Sequence, residues 1–428
     1  MTEPGSGDAT FRRNLQYYKF CAYGFLKNLR FYEPFLMLFF LEKGLSYAQI
    51  GALYAAREVF INVMEIPSGL LADTLGRRMT MIASFVAYIA SFLVFYSAAD
   101  FWVLFAAMAL YAFGDAFRTG THKAMIFDYL GAHGWSHLRT HYYGHTRAWS
   151  QRGAAVSALI AAGLVFWHRS YAPIFLFTII PYVLDMILIM TYPANLDGPR
   201  HTSTKTVRDE FAGVIRSLVA SMRNPAALRA ISHQALYSGY YKACKDYLQP
   251  ILRALALTLP IMVSLANQER TALLTGVVYS ALYAATAVAS SRSGDFADRW
   301  SGLARPLNIT LLVGVGFGLF AGVFQAVGIP VVAVLLYVGV YVLENLRKPM
   351  GITYVSERMN PESLASALSV ESQAETLFAA VIALLLGVLS SRFGLGVGVM
   401  LVSALCVVVG IVIRLPREPK QAKIELDV

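Results

Sequence analysis

Charged residues are scarce in this sequence of 428 residues: they make up 14% of it, whereas hydrophobic residues make up 57%. Soluble domains carry about a quarter charged residues, so this balance excludes an ordinary soluble protein. Cysteine is rarer still, with Cys21, Cys244 and Cys406 as its three copies. Their spacing excludes a disulfide framework or a cysteine-based metal site, and no cofactor is expected.

Sequence motifs of enzymes are also missing. The chain has no nucleotide-binding glycine-rich loop, no nucleophile elbow and no run of metal ligands. It is therefore predicted not to be an enzyme, and transport driven by ATP is not expected. The start of the chain is polar and acidic, and the first apolar run is too long for the core of a cleavable signal peptide.

Long apolar runs are what the sequence does contain. A helix needs roughly 20 apolar residues to cross a bilayer. The runs predict an all-α membrane protein with twelve spanning helices that fill nearly the whole chain. The predicted spans are residues 20–41, 47–72, 79–98, 101–128, 145–167, 172–192, 230–257, 271–291, 306–327, 330–355, 364–390 and 395–413.

The net charge of +10 comes from Lys and Arg residues that concentrate in alternate loops. The opposite set of loops carries only Lys43, Arg169, Arg253, Arg270 and Arg392. By the positive-inside rule, this asymmetry predicts that both termini are cytoplasmic, and the expected location is a bacterial inner membrane. The basic excess orients a multi-pass protein and does not indicate nucleic-acid binding.

The longest polar interruption divides the predicted spans into two groups of six. It predicts an N-terminal bundle at 1–193, a cytoplasmic linker at 194–229 and a C-terminal bundle at 230–428. Within the linker, Val207–Met222 is predicted to form an amphipathic helix on the membrane surface.

Weak internal similarity relates the two bundles. The stretch RFYEP in the first span compares with DYLQP in the seventh. Asp115 and Arg118 in the fourth span match Glu344 and Arg347 in the tenth at one constant offset. Duplicated bundles of this kind place their substrate near the bilayer midplane, between the two repeats.

The loop between the second and third spans reads GLLADTLGRR, from Gly69 to Arg78. It resembles the signature loop of the major facilitator superfamily, in which Gly is followed by Asp four residues later and then by Gly-Arg-Arg or Gly-Arg-Lys. The resemblance implies the major facilitator fold, with twelve transmembrane helices in two pseudo-symmetric six-helix bundles. A charged turn that simply obeys the positive-inside rule is the alternative.

The same resemblance implies a gate at this loop. In the family, the Asp pairs with basic residues and with a helix terminus of the other bundle, which holds the cytoplasmic face shut. Glycine at the first position permits close approach of helices, and glycine before the arginines permits a tight turn. The predicted gating residues are Gly69, Asp73, Gly76, Arg77 and Arg78.

Ionisable residues recur at every third predicted span, namely the first, fourth, seventh and tenth. Such groups are costly at bilayer depth, so their positions suggest function. In the resembled family these helices line the central cavity. The predicted cavity for substrate and protons consists of Arg30, Glu33, Asp115, Arg118, His122, Lys245, Asp246, Glu344 and Arg347.

Spacing adds a prediction about pairing inside the membrane. Arg30 and Glu33 lie three residues apart and share a helix face, as do Asp115 with Arg118 and Glu344 with Arg347. Local neutralisation of each pair is the alternative to a role in transport. For His122, a structural hydrogen bond is the alternative to proton transfer.

These features favour secondary active transport of a small anionic or zwitterionic organic solute by alternating access. Basic groups would attract the solute, and protonation of a paired acid would free its arginine, which couples transport to protons. Multidrug efflux of lipophilic cations, a (lyso)lipid flippase and a non-transporting membrane sensor are the alternatives. The expected partners are a small solute, protons and membrane lipid, with no nucleic acid, and the expected state is a monomer.

Overall fold

The computed structural model describes residues 13–119, 121–135, 138–197, 225–356 and 364–416. Every regular element in these ranges is a helix, which confirms the all-α prediction. Residues 13–197 are called the first half below, and residues 225–416 the second half. The predicted surface helix at Val207–Met222 lies outside the described residues, and the domain boundaries stay a prediction.

The helices of the first half follow the predicted spans closely. Two short 3₁₀ helices, Glu33–Phe35 and Ala194–Asp197, accompany them. The α-helices are α1 Leu15–Lys27, α2 Leu36–Glu42, α3 Tyr47–Leu75, α4 Arg77–Ser97, α5 Phe101–Arg118, α6 Thr121–Ala132, α7 Arg139–His168 and α8 Pro173–Met190.

The second half has a similar arrangement, with a short extra helix after the eighth span and a single continuous helix in the tenth. A 3₁₀ helix at Lys245–Tyr247 joins its first two helices. Its α-helices are α9 Pro225–Cys244, α10 Leu248–Thr258, α11 Asn267–Ser291, α12 Ser293–Ala297, α13 Ala304–Ala326, α14 Pro330–Ser356, α15 Leu364–Phe393 and α16 Leu395–Val412.

Local signals set several helix boundaries. Ser46 and Gln49 form a capping box at the start of α3, with Ser46 Oγ accepting from the Gln49 amide at 3.3 Å and Gln49 Oε1 accepting from the Ser46 amide at 3.0 Å. The Asp100 carboxylate caps α5 by accepting two backbone amides. Gly76 ends α3 with φ of 90°, a backbone conformation that L side chains rarely adopt.

The first and seventh predicted spans are interrupted rather than continuous. α1 gives way to a 3₁₀ helix and then α2, and α9 gives way in the same manner to α10. Pro34 lies within the first break and Pro250 just after the second, and both lack the amide that would bond to the carbonyl four residues earlier. The breaks therefore place Arg30, Lys245 and Asp246 beside irregular backbone in the middle of the bundle. The fourth span is also divided, between α5 and α6.

Eight helices in the described part of the chain are long and apolar enough to cross a membrane. Together with the fold, they identify a multi-pass integral membrane protein. The broken spans and the more polar α3, α7 and α9 make up the remainder of the bundle, and the full count of twelve stays a prediction. The eight helices are Arg77–Ser97, Phe101–Ala132, Pro173–Met190, Asn267–Ser291, Ala304–Ala326, Pro330–Ser356, Ser369–Phe393 and Leu395–Val412.

The two halves pack closely through α3 with α15 and through α7 with α11. Glycine allows backbone contact at the first pair, since a Cβ on Gly51 would lie 2.5 Å from the carbonyl oxygen of Ala383 and 2.9 Å from Cα of Gly387. At the second pair, a Cβ on Gly276 would collide with Cβ of Ala162. Both contacts lie toward the end of the bundle away from Gly76, which we call the distal end.

Candidate functional site

A cavity of about 220 Å³ lies between the two halves. Its wall contains five of the nine residues predicted for the substrate cavity, contributed by α5 and by the breaks in the first and seventh spans. Aromatic, aliphatic and hydroxyl side chains complete it, among them Tyr32, Tyr111 and Thr376. The five predicted residues are Arg30, Glu33, Asp115, Lys245 and Asp246.

Glu33 is the point at which the halves meet in this central cavity. Lys245 Nζ of the second half lies 3.0 Å from Glu33 Oε1, and Arg30 Nη1 lies 3.9 Å from Glu33 Oε2. The side chain of Gln249 donates to the carbonyl oxygen of Glu33 at 2.9 Å and accepts from the amide of Met37 at 2.8 Å. One carboxylate is therefore shared by a cation from each half. It lies at the break in the first span, where the backbone accepts a side-chain hydrogen bond.

A second set of charges joins four helices at the edge of the same cavity. Lys242 Nζ lies 2.9 Å from Glu375 and 3.7 Å from Glu58, which is also paired with Arg57 at 2.9 Å. Lys348 Nζ extends the chain of charges, at 3.7 Å from Glu375. We call these five residues the bridging cluster, because it links α3 of the first half to α9, α14 and α15 of the second.

The bridging cluster was not among the residues predicted for the cavity. The signal that could have found it is the presence of Arg57 and Glu58 inside a helix of 29 residues, and of Glu375 inside a helix of 30 residues. The prediction followed the every-third-span pattern and so left the second and eleventh spans out. Those two helices carry a contact between the halves, and Arg57 and Glu58 of the second span line the central cavity.

In the first half, Asp115 and Arg118 form the predicted pair. Arg118 Nη2 donates to Asp115 Oδ1 at 2.5 Å, and Tyr88 Oη donates to the same oxygen at 2.7 Å. Arg118 Nε also donates to Tyr88 Oη at 3.1 Å. His122 lies beyond this triad, where its ring stacks on Tyr23 with 3.6 Å between centroids and its Nε2 lies 3.1 Å from the hydroxyl of Tyr192. These contacts hold the imidazole in place.

A larger cavity of about 680 Å³ opens beside the central one, toward the end of the bundle that carries Gly76. Arg30 and Thr119 line both cavities, so the two are adjacent. Arg118 and His122 line the larger one. We call it the cationic chamber, after the charged side chains in its wall: Lys27, Arg30, Arg118, Lys123, Arg147 and Lys348.

Glu344 and Arg347, the counterparts of Asp115 and Arg118, line neither cavity. Arg347 is fully buried, with Nη2 3.0 Å from Nδ1 of His233 and its guanidinium 4.7 Å from the centre of the Tyr237 ring. Glu344 accepts from Ser238 Oγ at 2.9 Å. The described contacts contain no ion pair between Glu344 and Arg347, so sharing a helix face did not produce the expected pairing.

The predicted gating loop binds carboxylates of its own half. Arg77 forms an ion pair with Asp128, and Arg78 Nη2 lies 3.0 Å from Asp197 Oδ2. The Asp73 backbone belongs to α3, and its side chain lies outside the described part. A Cβ on Gly69 would meet no heavy atom within 4 Å, so this glycine permits no close helix contact in this structure.

At the distal end, polar contacts reinforce the packing of the two halves. Arg169 Nε lies 2.8 Å from Glu269 Oε1, and the Ala48 amide donates to Ser391 Oγ at 2.7 Å. Each of these bonds joins a residue of the first half to one of the second. The structure is therefore a state in which the distal end is closed and the charged cavities lie between that closure and the opposite end.

Comparisons with known proteins agree with this architecture. The family model of the Major Facilitator Superfamily matches residues 20–370. The fold is similar to that of the nucleoside transporter NupG, with a TM-score of 0.73 and 12% identity over 94% of this chain and 98% of that one. No curated protein sequence matches this chain.

Other solved transporters share the fold at similarly low identity. The D-xylose-proton symporter has a TM-score of 0.66 and 14% identity, over 94% of this chain and 97% of that one. A bacterial homologue of the human lysosomal transporter Spinster, in an inward-facing and unoccupied conformation, has a TM-score of 0.67 and 16% identity, over 94% of this chain and 95% of that one. The family and these neighbours indicate a transporter rather than an enzyme. With the family model matching most of the sequence, this chain belongs to the Major Facilitator Superfamily.

Proposed function

We propose that this protein is a secondary active transporter that moves a small anionic or zwitterionic organic solute across the membrane, coupled to protons. The observation that carries the proposal is the shared carboxylate of Glu33, contacted by Lys245 of one half and Arg30 of the other. Both cations line the cavity where the two halves meet. A solute anion would compete with Glu33 for these same two cations.

Proton coupling follows from that competition. Ionised Glu33 neutralises Lys245 and Arg30 and weakens their attraction for a second anion. Protonated Glu33 is neutral and no longer attracts Lys245 and Arg30, so the carboxylate or phosphate of the solute binds these two cations instead. The solved D-xylose-proton symporter with the same fold supports such coupling by analogy.

Alternating access is supported by the unequal packing of the two ends. The distal end is closed by Arg169 with Glu269 and by the glycine contacts of α3 and α15. We propose that the end carrying Gly76 faces the cytoplasm, because the predicted loops at that end carry most of the Lys and Arg residues. The structure then represents an inward-facing state, and transport requires the distal contacts to break.

Binding is the first test. The purified protein would be screened by thermal shift against benzoate, glycine betaine and tetraphenylphosphonium, with Lys245→Gln as the variant and Lys19→Gln as the control. We expect benzoate or betaine to stabilise the wild type and the control but not Lys245→Gln. Stabilisation by tetraphenylphosphonium alone, unchanged in Lys245→Gln, would indicate efflux of lipophilic cations and contradict the proposal.

Coupling is tested with the anion or zwitterion that binds. Uptake into proteoliposomes is expected to follow an imposed pH gradient and to stop when a protonophore is added. Glu33→Gln should bind the solute and exchange it across the membrane but lose accumulation, while Glu42→Gln at the distal end should keep both. Accumulation that survives the protonophore would show that protons are not the coupling ion.

A further inference from the structure

The charged side chains in the wall of the cationic chamber are all of one sign. Six Lys and Arg side chains line it, and none of the described residues in its wall is acidic. Five of the six belong to the first half, and Lys348 comes from the second. The central cavity differs, because four Asp and Glu side chains from the first half and one from the second stand among its basic residues.

Three of these cations have no carboxylate partner in the described part of the chain. Lys27 Nζ lies 6.0 Å from the centre of the Tyr23 ring, and Lys123 Nζ lies 5.4 Å from that of Phe127 and 5.6 Å from that of Tyr143. Arg147 takes part in none of the described ion pairs. Arg118 and Arg30 do have partners, but Asp115 and Glu33 lie in the wall of the central cavity.

Lys27 lies inside the predicted first span, where an unpaired cation is costly unless an anion enters. Lys123 and Arg147 are exposed and add positive charge to the same wall. A single carboxylate would leave most of the positive charge uncompensated. A phosphate monoester carries about two negative charges at neutral pH and presents three acceptor oxygens, which suits several converging donors.

We propose that the cationic chamber binds the phosphate group of a small organic phosphomonoester, which would make the solute of the proposed function a dianion. Asn28, Ser150 and Gln151 line the chamber and add polar groups, while the half-buried Tyr143 offers an aromatic ring for the organic part. The volume of about 680 Å³ suits a solute of metabolite size.

The position of the chamber gives the phosphate group a path. Arg30 lines both cavities, so an anion that moves from the chamber to the central cavity stays beside one cation. Lys348 belongs both to the chamber and to the bridging cluster. An anion that attracts Lys348 would loosen its hold on Glu375 and so act on the contact between the halves. This inference rests on the proposed function, and the test below separates the two.

Phenyl phosphate and phenyl sulfate are matched probes, because they have nearly the same size and shape but differ by one negative charge at pH 7.5. Binding to the purified full chain would be measured by calorimetry. We expect phenyl phosphate to bind at least about tenfold more tightly, which corresponds to one strong additional charge interaction. Equal or weaker binding than phenyl sulfate would overturn the proposal.

Substitutions in the wall of the cationic chamber test whether phenyl phosphate binds there. Lys123→Gln and Arg147→Gln change exposed side chains and are expected to fold, and each should weaken phenyl phosphate about tenfold. Arg152→Gln is the control, since Arg152 lies on the same helix as Arg147, stacks on Trp149 at 4.9 Å and lies outside the chamber wall. A loss in the control as large as in the two variants would overturn the proposal.

Two further results separate this inference from the proposed function. If benzoate or betaine binds through Lys245 while phenyl phosphate shows no dependence on Lys123 or Arg147, the chamber proposal is wrong and the proposed function stands. If no anion or zwitterion binds the wild type, both are wrong.

The phosphate group has two sources, a soluble ester or the headgroup of a lysolipid. Displacement of phenyl phosphate by lysophosphatidic acid at a far lower concentration than by glycerol 2-phosphate would indicate the lipid, and the reverse order the soluble ester. Both orders support a phosphate site, whereas displacement by neither would overturn it.

Discussion

The two halves of the molecule carry matching charges at matching positions but use them differently. In the first half, Asp115 and Arg118 pair with each other and line the cavities. In the second half, Glu344 and Arg347 turn to other partners and line neither cavity. A duplicated framework therefore fixes where ionisable residues lie along a helix. The surrounding packing decides whether they face the solute.

This asymmetry suggests a division of labour. The first half supplies most of the cationic chamber, and the second half supplies Lys242, Lys245 and Lys348, which reach toward carboxylates. Two of these lysines contact acids of the first half, Glu58 and Glu33. The second half thus holds the contact between halves through charges that a solute or a proton would disturb.

Double-mutant cycles on the two matching pairs should give the largest difference. For Asp115→Asn with Arg118→Met, we expect a coupling free energy of about 2 kcal/mol, because removing one partner leaves a half-buried charge unpaired. For Glu344→Gln with Arg347→Met, we expect less than about 1 kcal/mol, since the two side chains do not pair. Unfolding in mixed micelles with increasing dodecyl sulfate measures both cycles.

Equal coupling in the two halves would contradict the asymmetry. It would mean that Glu344 and Arg347 attract each other in solution despite their separate partners. The single variant Arg347→Met is informative too, because exchange of a buried, incompletely hydrogen-bonded guanidinium for an apolar side chain is often neutral or stabilising.

The next effect concerns the closed distal end. Gly51→Leu places a side chain against backbone of α15, where even a Cβ would lie 2.5 Å from a carbonyl oxygen. We expect it to shift the equilibrium away from distal closure by about 2 kcal/mol, roughly thirtyfold in population. Spin labels at the exposed positions Trp102 and Val263, one on each half, report the distance across this end.

The control for this variant is Gly163→Leu in α7, because a Cβ there would meet no heavy atom within 4 Å. Its label distances should match those of the wild type. Unchanged distances in Gly51→Leu as well would show that the contact of α3 with α15 does not set the closure. The ion pair of Arg169 with Glu269 would then be the contact that keeps the distal end closed.

The sequence located several charged residues of the central cavity, because ionisable groups are costly in lipid and so stand out in apolar spans. It did not single out the bridging cluster, which involves α3 and α15. It also predicted the family from the loop at Gly69 to Arg78, and the family model confirms that assignment. The breaks at Pro34 and Pro250 lay within spans that were expected to be continuous, although proline signals such breaks.

Pairing between helices could not be read from the sequence. Lys242 contacts both Glu58 and Glu375, which lie far from it along the chain and on different helices. Asp115 and Arg118 share a helix face and form an ion pair, whereas Glu344 and Arg347 have the same spacing and bind other side chains. The direction of each side chain depends on its packing against neighbouring helices, and the periodicity of the sequence does not predict that packing.

The smallest effect should distinguish the matching loops of the two halves. Gly76 has φ of 90°, and a Cβ there would lie 3.3 Å from Cγ of Asp197, the carboxylate that Arg78 binds. Gly294, in the loop region that follows the eighth span of the second half, would gain a Cβ in open space. We expect Gly76→Ala to destabilise the protein by about 1 kcal/mol, because alanine resists this backbone conformation, and Gly294→Ala to change stability little.

Thermal unfolding in detergent measures both variants against the wild type, with Arg78→Gln as a third. If Gly76→Ala lowers the melting temperature and Arg78→Gln lowers it similarly, the loop is held by its contact with Asp197. Equal effects of alanine at Gly76 and Gly294 would show that the two loops bear the same constraint. The difference between the two halves would then lie in the cationic chamber and not in the rigidity of these loops.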